Sequence, residues 1–109
     1  MKSADAIAAC AALASAPRLR LYRLLVRRGP EGFTPSELTR RLRMPAPTLS
    51  FHLKALLLAG LVASRREGRN LNYSPNFARV NALIAFLTDH YCSLAEGSAA
   101  ECAPERKRA

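Results

Sequence analysis

Tryptophan is absent from the sequence, aromatic residues make up 6% of it, and only 8 acidic side chains face 17 lysines and arginines. The missing aromatics leave a core to be built from Leu and Ala. The shortage of acid leaves a formal net charge of +9, which asks for an anionic partner, nucleic acid or a membrane surface. Cysteine is also rare, and its count of 3 is odd, which excludes a fully paired set of intramolecular disulfides. No hydrophobic run approaches the roughly 18 residues of a membrane span. With 2 histidines, no acid–base pair, no nucleophile elbow and no phosphate loop, the chain does not read as an enzyme. What remains is one domain's length of chain, 109 residues, half of them apolar.

The charge is unevenly placed. Between Gly32 and Tyr73 stand seven basic residues (Arg40, Arg41, Arg43, Lys54, Arg65, Arg66, Arg69) against two acidic ones, Glu37 and Glu67. Between Pro75 and Glu105 only Arg79 opposes Asp89, Glu96, Glu101 and Glu105. The middle of the chain is a basic surface and the end is not. The start, with Ile7 among alanines, resembles a signal peptide only faintly, since Asp5 interrupts it and a helical pattern follows. The expectation is a reducing cytoplasm.

Residues 4–14 are Ala-rich and suit a helix that packs close to a neighbour. Ser15 offers a cap with Pro17 in the first turn of a second helix, whose Leu21, Leu24 and Leu25 share one face and Arg20, Arg23 and Arg27 another. Gly29-Pro30 ends it. Thr34-Pro35-Ser36-Glu37 reads as a capping box before a short helix through Leu38 and Leu42. Pro45 and Pro47 turn the chain into a fourth helix, in which Leu49, Leu53, Leu56 and Leu57 repeat at helical spacing up to Gly60. Residues 61–66 and 71–74 are strand candidates around the turn Glu67-Gly68-Arg69-Asn70. Ser74-Pro75 restarts a helix whose Phe77, Val80, Ile84, Leu87, Tyr91 and Leu94 alternate steps of three and four. That seam is wider than so small a core needs. Residues 1–95 therefore read as one domain and 96–109 as a flexible tail.

A short helix, a tight turn, a longer helix and a basic hairpin, in that order, make a winged helix-turn-helix: mainly α, five helices and a two-stranded wing. The second helix of the pair fits a DNA major groove, and the hairpin reaches flanking phosphates or the minor groove. With Leu49 toward the core, Thr48, Phe51 and Lys54 face away and Ser50 and His52 lie on the flanks. Thr48 and Ser50 can bond to base edges, Phe51 can touch a thymine methyl, and Lys54, Arg65, Arg66 and Arg69 suit phosphates. For His52 the other reading is a histidine bonded to backbone inside the turn.

Phe33-Thr34-Pro35-Ser36-Glu37-Leu38, Leu49-Ser50-Phe51-His52-Leu53, Ala59-Gly60-Leu61-Val62, Arg66-Glu67-Gly68-Arg69 and Tyr73, in this order and spacing, closely resemble the ArsR/SmtB repressors. The resemblance covers about residues 4–95. It implies a homodimer joined by the first and last helices, bound to an inverted-repeat operator in double-stranded DNA and released by a metal, metalloid or redox signal. The apolar seam of the last helix would then be the dimer contact.

Two sensor sites of that family are missing. Thr34 and Ser36 stand where many arsenic sensors carry Cys-x-Cys, and Val80 and Asn81 stand where zinc sensors begin their site. Asp89 and His90 alone cannot complete a tetrahedral zinc shell from one helix. Cys10, Cys92 and Cys102 remain. The resemblance to arsenic-responsive members with C-terminal cysteines implies an inducer, not a resident cofactor: trivalent arsenic or antimony, inorganic or organic, on Cys92 and Cys102, with Cys10 as a third ligand or as a small core residue. Thiolates select such soft ions over hard ones. A reversible Cys92–Cys102 or Cys10–Cys92 disulfide, formed by oxidants or reactive sulfur, is the alternative signal, and a protein-interaction module on the same fold is the alternative use.

Overall fold

The computed structural model describes residues 1–96. Five helices and one antiparallel hairpin follow one another as α1 (Ser3–Leu13), α2 (Ala16–Arg28), α3 (Pro35–Leu42), α4 (Ala46–Leu58), β1 (Val62–Glu67), β2 (Asn70–Pro75) and α5 (Phe77–Thr88), with a single 3₁₀ turn at Gly29–Glu31. This is the winged helix-turn-helix expected from the sequence. Among the described residues no helix is long and apolar enough to cross a membrane.

Local chemistry sets most of the boundaries. Ser15 caps α2, its Oγ accepting from the Arg18 amide, and Pro17 sits in the first turn. The Arg18 side chain reaches back to the Ala12 carbonyl at 2.7 Å and so closes the end of α1. At α3 the capping box is complete. The Glu37 amide donates to Thr34 Oγ1 at 3.3 Å, while Glu37 Oε1 accepts from the Thr34 amide at 3.0 Å. Those bonds favour the charged carboxylate, so the Glu37 carboxyl is held below its ordinary value. Arg43 ends α3 in the left-handed region (φ 51°), which lets the chain turn straight into Pro45 and α4.

The core gathers the leucines that share helical faces: Leu21 and Leu25 from α2, Leu38 from α3, Leu49, Leu53 and Leu56 from α4, then Leu61 and Val62 leading into the wing. Burying each of these stabilises the fold by about 1.5–3 kcal/mol. Ala6, Ala9 and Ala12 bring α1 close against this set, and Leu83 is the one buried residue of α5. Cys10 is not among the core residues. It lies one position off the buried alanine stripe and is exposed.

Two boundaries differ from the sequence reading. The residue that caps α5 is Asn76, whose Oδ1 accepts from the Arg79 amide at 3.2 Å, while Pro75 is buried as the last residue of β2. The last helix also stops at Thr88 rather than running through Leu94. Asp89 is extended, and His90 and Cys92 take φ of 59° and 56°. The repeat of three and four continues past Thr88, but Tyr91 and Leu94 are 52% and 96% exposed, so packing does not hold that segment helical. Of the expected tail only Glu96 is among the described residues; Cys102 lies outside them.

Candidate nucleic-acid interface

The helix-turn-helix pair is α3 and α4, and α4 shows two opposed faces. Leu49, His52, Leu53 and Leu56 are buried, while Thr48, Ser50, Phe51 and Lys54 are exposed. Phe51 presents 67% of its surface to solvent although no core rule puts a phenylalanine there. An apolar ring flanked by two hydroxyls and an ammonium has the chemistry that base edges and phosphates can meet.

His52 is the correction on this helix. It is 8% exposed, so it belongs to the core side of α4 and not to its exposed face. Its Nδ1 has no hydrogen-bond partner, so this nitrogen makes no bond to backbone either. Burial and the nearby Arg18 charge both penalise the imidazolium and push the His52 pKa down. His52 is thus a neutral ring wedged beside Phe51, the two meeting edge to face at 5.5 Å. Nothing in its sequence neighbours separates that role from a groove contact.

The wing carries the rest of the positive charge. Strand β1 pairs with β2 in the register Val62↔Pro75, Ser64↔Tyr73 and Arg66↔Leu71, and the hairpin turns at Gly68-Arg69. Gly68 has φ of 60°, the positive first central residue of a type II′ turn. Arg65, Arg66 and Arg69 are all exposed. Arg65 and Glu67 share a strand face and form an ion pair, and that guanidinium is the main reason the Glu67 carboxyl is held low. Among the described residues Arg66, Arg69 and Lys54 have no acidic partner, which leaves them available to phosphates.

The wing is fastened to the connection between α2 and α3 by contacts absent from the sequence reading. Phe33 and Tyr73 exchange backbone hydrogen bonds of 2.9 and 2.8 Å, and buried Asn72 donates from Nδ2 to the Glu31 carbonyl at 2.7 Å. Gly32 lies between them with φ of 73°, and a Cβ there would meet Asn72 Oδ1 at 2.4 Å and the Tyr73 carbonyl at 2.6 Å. Arg28 and Arg41 each hold a guanidinium 5.0 Å from the Phe33 ring centre. The latch fixes the hairpin relative to α3. The signal that could have found it is weak: a glycine and an asparagine of no evident local purpose.

The two described cysteines lie on different elements. Cys10 lines an apolar groove between α1 and α5 together with Ile7, Phe86 and Leu87. Cys92 lies in the turn after α5, half-buried and disulfide-bonded. Among the described residues no three His, Cys, Asp or Glu side chains converge as a metal site.

Residues 13–65 match the family described as "Helix-turn-helix domain". The chain is 37% identical over 90 residues to the HTH-type transcriptional regulator YgaV of Escherichia coli, covering 83% of this chain and 90% of YgaV. It is 32% identical over 90 residues to the transcriptional activator HlyU of Vibrio cholerae, covering 83% and 81%. The HlyU structure superposes with a TM-score of 0.65 over 83% of this chain and 95% of that one. A homodimeric winged helix-turn-helix DNA-binding domain from Mycobacterium bovis, described as a possible ArsR-family regulator, is 27% identical with a TM-score of 0.62, covering 86% and 87%. With the fold and these relatives in agreement, the chain belongs to the ArsR-like family of winged helix-turn-helix transcriptional regulators.

Proposed function

We propose that this regulator is a homodimeric repressor that reads an inverted repeat with α4, anchors on phosphates with the wing, and leaves its operator when its thiols change state. The observation that carries the DNA reading is the division of α4, with Thr48, Ser50, Phe51 and Lys54 outward, together with Arg66 and Arg69 of the wing, which form no ion pair among the described residues. The dimer reading rests on α5 and α1. Ile84 and Leu87 are 56% and 63% exposed, Ile7 is 69% exposed, and an apolar groove runs between the two helices. A second copy covering such a face would let two copies of α4 meet half-sites about one DNA turn apart. The Mycobacterium relative, described as a homodimer, supports this arrangement.

The thiols admit two chemistries. In the first, arsenic(III) or antimony(III) takes Cys92 and Cys102, with Cys10 as the candidate third sulfur. In the second, two thiols lose two electrons and two protons to a peroxide and close a disulfide that opens again on reduction. The second is favoured by one observation: Cys92 is disulfide-bonded.

The test is a gel shift on an operator selected from genomic fragments, run at several salt concentrations. Affinity should fall steeply with salt, and sequence preference should persist. DNA binding without preference, or none, overturns the reading. Titrating the reduced complex with arsenite, antimonite, methylarsenite and peroxide then assigns the signal. Release by peroxide that dithiothreitol reverses identifies the disulfide; release by arsenite that Cys92→Ser abolishes identifies the metalloid.

A further inference from the structure

On α2, Leu19, Arg20, Arg23, Leu24 and Arg27 follow one another at steps of one, three, one and three, so they form one stripe along the helix. The last turn of α3 rises beside it with Arg41 and Leu42, and together they line an open groove of roughly 610 Å³. From Ala16 to Arg27 the lining covers eleven residue steps, about 16 Å of helix. Four arginines and three leucines therefore line one groove, and the Arg41 guanidinium also lies over the Phe33 ring. Leu24 and Leu42 are half-buried, and Leu19 is 43% exposed.

Two properties define what fits there. The first is uncompensated charge. No carboxylate lines the groove, and among the described residues the arginine ion pairs are made by Arg28, Arg65 and Arg79, none of the four groove arginines. Guanidinium groups at this spacing are forks for carboxylate, sulfonate or phosphate oxygens. The second is the leucine floor, which a hydrated inorganic ion leaves wet and an apolar body covers. A DNA backbone fits poorly, because it would also leave the floor uncovered. The groove includes no residue of α4 or of the wing.

We propose that the α2–α3 groove is a binding site for an amphipathic organic anion, a single soluble molecule with an apolar body and a phosphate, sulfonate or carboxylate head. The arginines take the head and Leu19, Leu24 and Leu42 take the body. This site is separate from the cysteines and from the DNA-reading face.

The experiment is calorimetric titration of the free full-length protein with decyl phosphate below its micelle concentration, beside inorganic phosphate and decanol. The free protein is used so that the result does not depend on any operator. The expected result is saturable binding of one decyl phosphate per chain, at least about tenfold tighter than either half-molecule. The Arg20→Ala/Arg23→Ala variant should weaken it about tenfold or more, whereas Arg40→Ala, on α3 outside the groove, should leave it unchanged. Equal binding of decyl phosphate and inorganic phosphate would overturn the proposal, as would decyl phosphate binding that the double variant does not weaken. Binding confined to phosphatidylglycerol vesicles would assign the arginines to a membrane surface instead. A double variant that keeps decyl phosphate binding but loses DNA affinity would assign them to the nucleic acid.

Discussion

Helices α4 and α5 are nearly equal in length, 13 and 12 residues, and both are rich in leucine and alanine. They differ in how they spend their apolar side chains. Helix α4 buries three leucines and a histidine in its own chain and turns two hydroxyls, a ring and an ammonium outward. Helix α5 buries Leu83 alone and leaves Ile84 and Leu87 in solvent. On the proposed function, α4 meets a polar partner with the side chains its core does not use, and the uncovered apolar face of α5 meets a second copy.

The strongest way to break this contrast is to charge the exposed face of α5. Ile84→Asp should leave the monomer folded, because Ile84 lies outside its core, yet bury an unpaired carboxylate in a dimer that covers α5. Sedimentation should show a monomer at micromolar concentration, and operator affinity should fall on the order of 100-fold or more as the second half-site is lost. A dimer that survives this change is held elsewhere.

The same deletion made on both helices sharpens the point. In the Ile84→Asp monomer, Leu56→Ala removes a fully buried side chain and should cost about 2–5 kcal/mol in denaturant unfolding. Leu87→Ala, on a side chain 63% exposed, should cost within about 0.5 kcal/mol. Similar costs would mean that α5 packs into its own chain after all.

On the outward side of α4 and the wing, Lys54→Ala with Arg66→Ala should keep the dimer and lower affinity on all DNA sequences alike. The logarithmic salt dependence should become shallower by about 2, one unit for each phosphate contact. Ser50→Ala should instead change preference among bases by about 1–3 kcal/mol at one position.

The smallest effect concerns the buried side of α4. The His52 pKa is lower in the folded chain than in the unfolded one, so its contribution to stability is present above the ordinary histidine value of 6.5 and is lost as pH falls through the folded value. Thermal unfolding from pH 7.5 to 5 should show this loss, and His52→Gln should flatten the profile. An unchanged profile would mean that the ring titrates elsewhere or not at all.

What was legible in the sequence was local. The Thr34/Glu37 box, the Ser15 cap and the Gly68 turn each act over three or four residues, and each stands where the pattern put it. The leucine repeat of α4 was legible because Ser50, His52 and Lys54 interrupt it. In α1 alanine occupies every face, so no periodicity told Cys10, which is exposed, from Ala9, which is buried. The end of α5 was hidden for the opposite reason: the apolar repeat runs on through Tyr91 and Leu94, although the helix stops at Thr88. His52 and Asn72 depend on residues distant in sequence, Arg18 for one and Glu31 for the other. Neither environment is written in the neighbouring letters.

The latch of Gly32, Phe33, Asn72 and Tyr73 holds the wing to the connection ahead of α3, with no bond to the outer face of α4. On the proposed function, the residues that read DNA and the grip on its backbone are therefore separable parts. Residues 48, 50, 51 and 54 could then be exchanged for those of another regulator, and the transplanted helix would inherit a hairpin already held at a set angle. New operators would be open to such a protein through a handful of surface substitutions. A change at Gly32 would disturb every operator at once, since Gly32→Ala should cost more than about 1 kcal/mol and loosen the hairpin whatever sequence α4 carries.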